Sequence, residues 1–78
     1  MVSKHFPQLA YKDIAKLAAG QGFYCARKAR GSHEIWRNDA TGGQTTIPNH
    51  GSQPLKRKTV RAILEDLGLS LEDVSQHE

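Results

Sequence analysis

The spacing of hydrophobic residues predicts a helix near each end of the chain. The first runs from about Tyr11 to Gly20 on three apolar residues at helical spacing: Ile14, Leu17 and Ala18. The second runs from roughly Lys56 to Leu67, and Gly68 caps it. Its apolar stripe fits positions i, i+3, i+4 and i+7: Val60, Ile63, Leu64 and Leu67. Ser70, followed by acidic residues, predicts one further short helical turn at the C-terminal end.

Between these helices the pattern changes to three short runs that are typical of strands. Residues 23–28 are rich in aromatic residues and lead into Arg30-Gly31, which predicts a hairpin turn. Residues 32–38 form the second predicted strand, the turn-forming residues 38–43 follow, and residues 44–47 form the third. The element order predicts an α+β fold in which both helices cover one face of an antiparallel sheet and leave the other face open.

Length and charge narrow the function. A chain of 78 residues predicts a single domain over residues 1–78, with an ordered core at about 9–74 and a polar lead-in before it. So small a domain holds no deep cleft, and any active site must be open. All eleven Lys and Arg residues lie within residues 1–61 against three acidic residues, whereas residues 62–78 carry five acidic residues and no basic one. This asymmetry favours a polyanionic partner on one side of the protein.

Cysteine content and hydropathy indicate a cytoplasmic protein. Cys25 is the only cysteine, so neither an intrachain disulfide nor a cysteine-type zinc site can form. No run of about 18 apolar residues predicts a membrane span, and no apolar stretch follows the N-terminal lysine as in an export signal. Cys25 is expected to be a small buried hydrophobe. Trp36 and Tyr24 could stack on bases, but for the tryptophan a place in the core is the preferred interpretation.

The candidate chemistry centres on His33, which lies near the start of the second predicted strand and within a few residues of Lys28, Arg30 and Arg37. Ser32 is not a nucleophile for this histidine, because successive strand residues point to opposite faces. A histidine among cations suits metal-free RNA cleavage, in which the substrate's own 2′-OH attacks the phosphate and the protein supplies proton transfer and positive charge. His50 is the second candidate for proton transfer, although a role in shaping its loop is preferred.

Several short motifs, in this order and spacing, resemble those of the HicA toxins of toxin-antitoxin pairs. They are Gly22-Phe23, Arg30-Gly31-Ser32-His33, Thr46-Ile47-Pro48 with His50, Leu55-Lys56, Thr59 to Leu64, and Gly68-Leu69. The resemblance implies a fold like a double-stranded-RNA-binding domain, cleavage of mRNA without a metal, a HicB-like antitoxin that covers the active surface, and His33 as the catalytic histidine. The chain departs from many relatives at Glu34, where they have a second histidine, and at Lys58, where they have a small residue.

These observations lead to a specific hypothesis, an endoribonuclease toxin that needs no cofactor and in which His33 is the general acid or base. Five basic residues are expected to bind the RNA: Lys28, Arg30 and Arg37 near the histidine, then Lys56 and Lys58 at the start of the last helix. Two alternatives remain open. One is a non-catalytic RNA-binding module of the same fold, and the other is an inactive relative that binds only its antitoxin.

Overall fold

The computed structural model describes residues 8–75 and contains the predicted order of elements. The elements are α1 (Tyr11–Gly20), β1 (Tyr24–Lys28), β2 (His33–Asn38), β3 (Gly43–Pro48), α2 (Arg57–Leu67) and α3 (Leu71–Ser75). Nearly all of the predicted polar lead-in, together with His77, lies outside the described residues. The α+β prediction is confirmed, and so is the extra turn. At α3, Ser70 and Asp73 cap each other, because the Asp73 N–H donates to Ser70 Oγ and the Ser70 N–H donates to Asp73 Oδ2.

The sheet is an antiparallel meander in the order β1-β2-β3. Side chains alternate along β2, so that Glu34, Trp36 and Asn38 are buried while His33 and Arg37 are exposed. Because opposed residues of antiparallel strands share a face, the register assigns the remaining strand residues. The side of the sheet away from the helices, called the open face below, carries Tyr24, Arg27, His33, Ile35, Arg37, Gln44, Thr46 and Pro48.

The core lies between the other face of the sheet and the helices. Trp36 is 8 % exposed there, which confirms its predicted place in the core. It belongs to a cluster of buried residues that contains Ile14 and Ala18 from α1 and the whole predicted stripe of α2, Val60, Ile63, Leu64 and Leu67. Leu17, the third residue of the predicted α1 stripe, is partly buried and packs against this cluster. Gly68 ends α2 in the left-handed conformation at φ +79°, as its predicted capping role requires.

The prediction that Cys25 is buried is wrong, because every residue of β1 is exposed. The helices pack against β3, at the opposite edge of the sheet, and leave β1 largely uncovered. The pairing of β1 with β2 also shifts between Cys25 and Arg27, which makes Ala26 the extra residue of a β-bulge. Cys25 therefore shares a face with Trp36 without the cover that Trp36 has.

Both long helices begin at the same end of the sheet, called the histidine end below because β2 starts there with His33. The Tyr11 hydroxyl at the start of α1 donates a 2.8 Å hydrogen bond to the Glu34 carboxylate. The Leu55 N–H, just before α2, donates a 2.8 Å hydrogen bond to the Leu9 carbonyl, just before α1. The positive ends of two helix dipoles therefore lie at one end of the molecule.

The C-terminal ends of the same helices meet at the opposite end of the sheet. There the Gln21 side chain donates a 3.3 Å hydrogen bond from Nε2 to the Leu67 carbonyl. The Asn38 amide, at the end of β2, donates a 2.9 Å hydrogen bond from Nδ2 to the Gln21 carbonyl. The two helices thus run in the same direction across the sheet. The positive ends of both helix dipoles therefore lie at one end of the domain, an asymmetry that the net charge does not show.

Candidate active site

His33 is held by the turn that joins β1 to β2. The Ala29 N–H donates a 2.8 Å hydrogen bond to the His33 carbonyl, and the His33 N–H donates a 3.3 Å hydrogen bond to the Arg30 carbonyl. Gly31 completes the turn at φ +64°, a conformation that side chains with a Cβ rarely adopt. This backbone frame fixes the position of His33 while its side chain remains exposed on the open face.

A small polar groove of about 270 Å³ lies beside this turn. The Asn49 N–H closes its far side by donating a 2.8 Å hydrogen bond to the Ser32 carbonyl, which ties the loop after β3 to the hairpin. Six residues line the groove: Lys28, Gly31, Ser32, His33, Glu34 and Asn49. The groove is therefore built by two connections of the sheet and is open to solvent, as expected for a domain of this size.

Glu34 forms the buried floor of this site, with 4 % of its surface exposed. Its Oε1 atom accepts hydrogen bonds from the Tyr11 hydroxyl at 2.8 Å and from Trp36 Nε1 at 3.0 Å. Its Oε2 atom accepts a 3.4 Å hydrogen bond from Asn49 Nδ2. One carboxylate thereby joins α1, β2 and the loop after β3 directly beneath the histidine end.

The charge of this carboxylate is stabilised despite its burial. Burial alone would raise the pKa of Glu34, but the hydrogen bonds from Tyr11, Trp36 and Asn49 and the charge of Lys28 lower it below its ordinary value. Burial and the same carboxylate raise the pKa of Tyr11 to about 12. Partial desolvation of the sulfur and the charge of Glu34 raise the pKa of the Cys25 thiol, so this exposed thiol stays protonated at neutral pH.

Three of the predicted RNA-binding residues lie at the histidine end. Lys28 lines the groove and Arg30 is exposed in the turn next to His33. Lys56 precedes the first residue of α2, whose start is tied to the start of α1 through Leu55 and Leu9. In the described chain, α2 has no side-chain hydrogen bond capping its start and no acidic residue in its first turn. This end can therefore attract and hold an anion.

Of the predicted site residues, His33 and Lys28 line the groove, and the others do not. Arg37 is on the same face as His33 but four residues along β2, about 13 Å away at roughly 3.3 Å per residue. Lys58 lines a separate groove of about 460 Å³ between β3 and α2. His50 is exposed in the loop immediately after Asn49 and is not among the six residues that line the groove.

The residues that sequence reasoning missed are Glu34 as a hydrogen-bond centre and its partners Tyr11 and Asn49. A signal for the first was present, because the alternation that buries Trp36 also places Glu34 on the buried face. A carboxylate at a core position requires several donors, since an unsatisfied buried charge is costly. The identity of those donors could not be predicted, because they come from elements 15 and 23 residues away.

The fold and the site together define a small α+β domain with an exposed histidine beside cations at an end that favours anions. Residues 11–69 match the family of the HicA toxin of bacterial toxin-antitoxin systems, and the chain belongs to that family. Membership implies an antitoxin partner. The searches of curated proteins and of solved structures gave no significant match.

Within residues 8–75, no helix is long and apolar enough to cross a membrane. The same residues contain no group of three or more His, Cys, Asp or Glu that could hold a metal ion.

Proposed function

We propose that this chain is an endoribonuclease toxin that cleaves mRNA without a metal ion, with His33 as general acid or base. The observation that supports this most directly is the exposed His33 side chain in a groove that Lys28 also lines, on a turn that carries Arg30 and is fixed by backbone hydrogen bonds. A HicB-like antitoxin that covers this end is the partner we expect, and the cytoplasm is where such a toxin would meet mRNA.

The proposed reaction uses a nucleophile that the substrate supplies. The 2′-OH loses its proton, its oxygen forms a bond to the adjacent phosphorus, and the 5′-oxygen of the next nucleotide leaves and gains a proton. The products are a 2′,3′-cyclic phosphate and a free 5′-OH. An imidazole titrates near neutral pH and can take the first proton or give the second, which contributes roughly 10² to 10⁴ in rate. Water serves the other proton transfer in this scheme.

The cations of the histidine end have the second role in this proposal. As the bond forms, negative charge grows on the phosphate oxygens, and positive groups placed beforehand lower the energy of that state. Arg30 is exposed on the same turn as His33, and its backbone carbonyl accepts the hydrogen bond from the His33 N–H. Lys28 also stands near Glu34, so its ammonium balances a buried carboxylate and faces the groove at once. Lys56 extends the positive surface toward α2.

The test is cleavage of a defined RNA by the purified chain and by His33→Ala. The parent should produce fragments that end in a 2′,3′-cyclic phosphate, in the presence of EDTA, and a substrate with 2′-deoxyribose at the cleaved position should stay intact. His33→Ala should lose at least about 10²-fold in rate while its melting temperature and its affinity for RNA stay close to those of the parent. Lys16→Gln, which removes an exposed cation from α1, serves as the control.

Three results would contradict the proposal. Unchanged cleavage by His33→Ala would remove the histidine from the reaction. Salt-dependent RNA binding without any cleavage product would identify an RNA-binding module instead. A chain that neither binds nor cleaves RNA, but forms a tight complex with the co-expressed antitoxin, would be an inactive relative. Transcript integrity in cells that express the chain with and without that antitoxin gives the same separation in vivo.

A further inference from the structure

The open face of the sheet carries charge and an aromatic ring that the proposed cleavage reaction does not use. Arg27 and Arg37 lie on it from neighbouring strands, and Tyr24 is directly opposite Arg37 in the register of β1 and β2. All three residues are exposed. None of the strand residues of the open face is acidic, and the carboxylate of Asp39, in the turn after β2, reaches the face at the Tyr24 hydroxyl. The strands themselves therefore contribute only positive charge to this face.

Tyr24 is a large, partly hydrophobic side chain on this face, and 45 % of its surface is exposed to solvent. Its hydroxyl donates to both carboxylate oxygens of Asp39, at 3.1 Å to Oδ1 and 3.0 Å to Oδ2. These hydrogen bonds fix the ring at its polar tip and leave the rest of it accessible. A fixed, exposed aromatic ring beside a guanidinium group is the arrangement on which an unpaired base stacks.

The two arginines add phosphate-binding capacity. Arg27 and Arg37 are both exposed to solvent, where an external anion can reach their guanidinium groups. Arg37 is opposite Gln44, and Arg27 is opposite the half-buried Ile35. From Arg37 to His33 the face extends about 13 Å along β2. A nucleic acid strand that lies along this line would pass from the tyrosine and the arginines to the histidine.

We propose that the open face is a binding surface for single-stranded RNA, with a base stacked on Tyr24 and phosphates bound by Arg27 and Arg37, which leads the strand to His33. The choice of RNA as the polyanion rests on the proposed function. The preference for a single strand follows from the ring, because a base in a duplex is stacked between its neighbours and does not offer its face. The surface is distinct from the start of α2, which lies in the helical layer.

The experiment measures binding in the His33→Ala background, so that cleavage does not consume the probe. The probes are a short fluorescein-labelled single-stranded RNA and the same RNA annealed to its complement, with fluorescence anisotropy recorded over a range of salt concentrations. The expected order is tighter binding of the single strand. Tyr24→Ala should weaken that binding by about 5- to 150-fold, whereas Tyr24→Phe, which keeps the ring, should retain most of it.

The arginines give a second, independent readout. Arg27→Gln and Arg37→Gln should each reduce the slope of log affinity against log salt by about 0.7, the amount expected for one lost phosphate contact on a single strand. Lys16→Gln removes a cation from the helical layer and should leave both affinity and slope close to those of the parent. All these side chains are exposed, and unchanged melting temperatures would show that each variant is folded.

The inference is overturned if the Tyr24 and arginine variants bind the single strand as tightly as the parent, or if the duplex binds better. It is also overturned if these variants lose only the complex with the co-expressed antitoxin, since the face would then be a protein-binding surface. These results are separable from failure of the proposed function. A chain that binds single strands through Tyr24 but never cleaves them would refute the nuclease and support the binding surface.

Discussion

The hydroxyl of Tyr11 lies 2.8 Å from the Glu34 carboxylate oxygen that also accepts from Trp36. This contact joins the first residue of α1 to the residue next to His33, across 23 positions of sequence. The two neighbouring side chains point in opposite directions: the ionised carboxylate faces donors in the core, and the histidine faces solvent. The buried hydrogen bonds therefore stabilise the part of β2 that carries the proposed catalytic residue.

Tyr11→Phe is expected to destabilise the protein by about 1 to 3 kcal/mol, because a hydrogen bond to a buried ionised group is lost while the ring remains. Urea unfolding of parent and variant measures this. Tyr24→Phe removes the same hydroxyl from an exposed hydrogen bond to Asp39 and should cost less than about 0.5 kcal/mol. Equal losses of stability in the two variants would mean that the buried hydrogen bond to Glu34 stabilises the protein no more than the exposed one to Asp39.

Glu34→Gln should change how stability depends on pH in acid. The pKa of Glu34 is lowered in the folded state, so its ionised form stabilises the fold fully above the unfolded pKa and loses that contribution as pH falls through the folded pKa. The free energy of unfolding of the parent should therefore decline below about pH 4.5 more steeply than that of the variant.

Urea unfolding at several pH values from neutral to acid measures the difference in the free energy of unfolding between the parent and Glu34→Gln. This difference should be largest at neutral pH and narrow as the solution becomes more acidic. Glu65→Gln, at an exposed position of α2, is the matched control and should run parallel to the parent. A gap for Glu34→Gln that stays constant over the whole range would contradict the assigned pKa direction.

Arg30→Gln is expected to slow RNA cleavage by about 10-fold or more, because the proposed reaction loses one positive group that would stabilise the developing phosphate charge. Its folding should be unaffected, since the Arg30 side chain is exposed and its backbone carbonyl still accepts from His33. Single-turnover cleavage rates and melting curves give the two measurements. If Lys16→Gln slows cleavage as much, general charge rather than the position of Arg30 is responsible.

Two glycine-to-alanine changes should have opposite effects on stability. Gly68 ends α2 at φ +79°, where a Cβ is strained, so Gly68→Ala should cost about 1 kcal/mol. Gly20 is the last residue of α1, has no positive φ, and a Cβ there would meet nothing within 4 Å. Gly20→Ala should therefore stabilise the protein by about 0.5 to 1 kcal/mol. Thermal unfolding of both variants checks the pair, and a shift of the same sign in both would be inconsistent with these backbone conformations.

The helices, strands and core residues were predictable because each depends on a local pattern. The stripe from Val60 to Leu67 gives α2 to within one residue, and the alternation in β2 places Trp36 in the core. The exposure of Cys25 was not predictable, because it depends on which edge of the sheet the helices cover. Tertiary packing determines which edge the helices cover, and the sequence of β1 does not indicate it.

The site was predictable only where sequence neighbours remain spatial neighbours. Lys28, Arg30 and His33 stay together because a tight turn connects them. Arg37 is equally close in sequence, but an extended strand separates residues by about 3.3 Å each, which places it at the far end of β2. The start of α2 reaches the histidine end through the pairing of Leu55 with Leu9, which no local pattern indicates.

The uncovered strand β1 has a consequence for handling the protein at high concentration. Its outer edge presents unpaired backbone groups, which in other proteins recruit a strand of a second molecule and start fibril growth. Here the bulge at Ala26 interrupts the regular ladder, and Arg27 and Lys28 follow it directly with two like charges. Two molecules that approached edge to edge would meet a kink and mutual repulsion, so the bulge and the two charges after it oppose self-association through the edge that the helices leave uncovered.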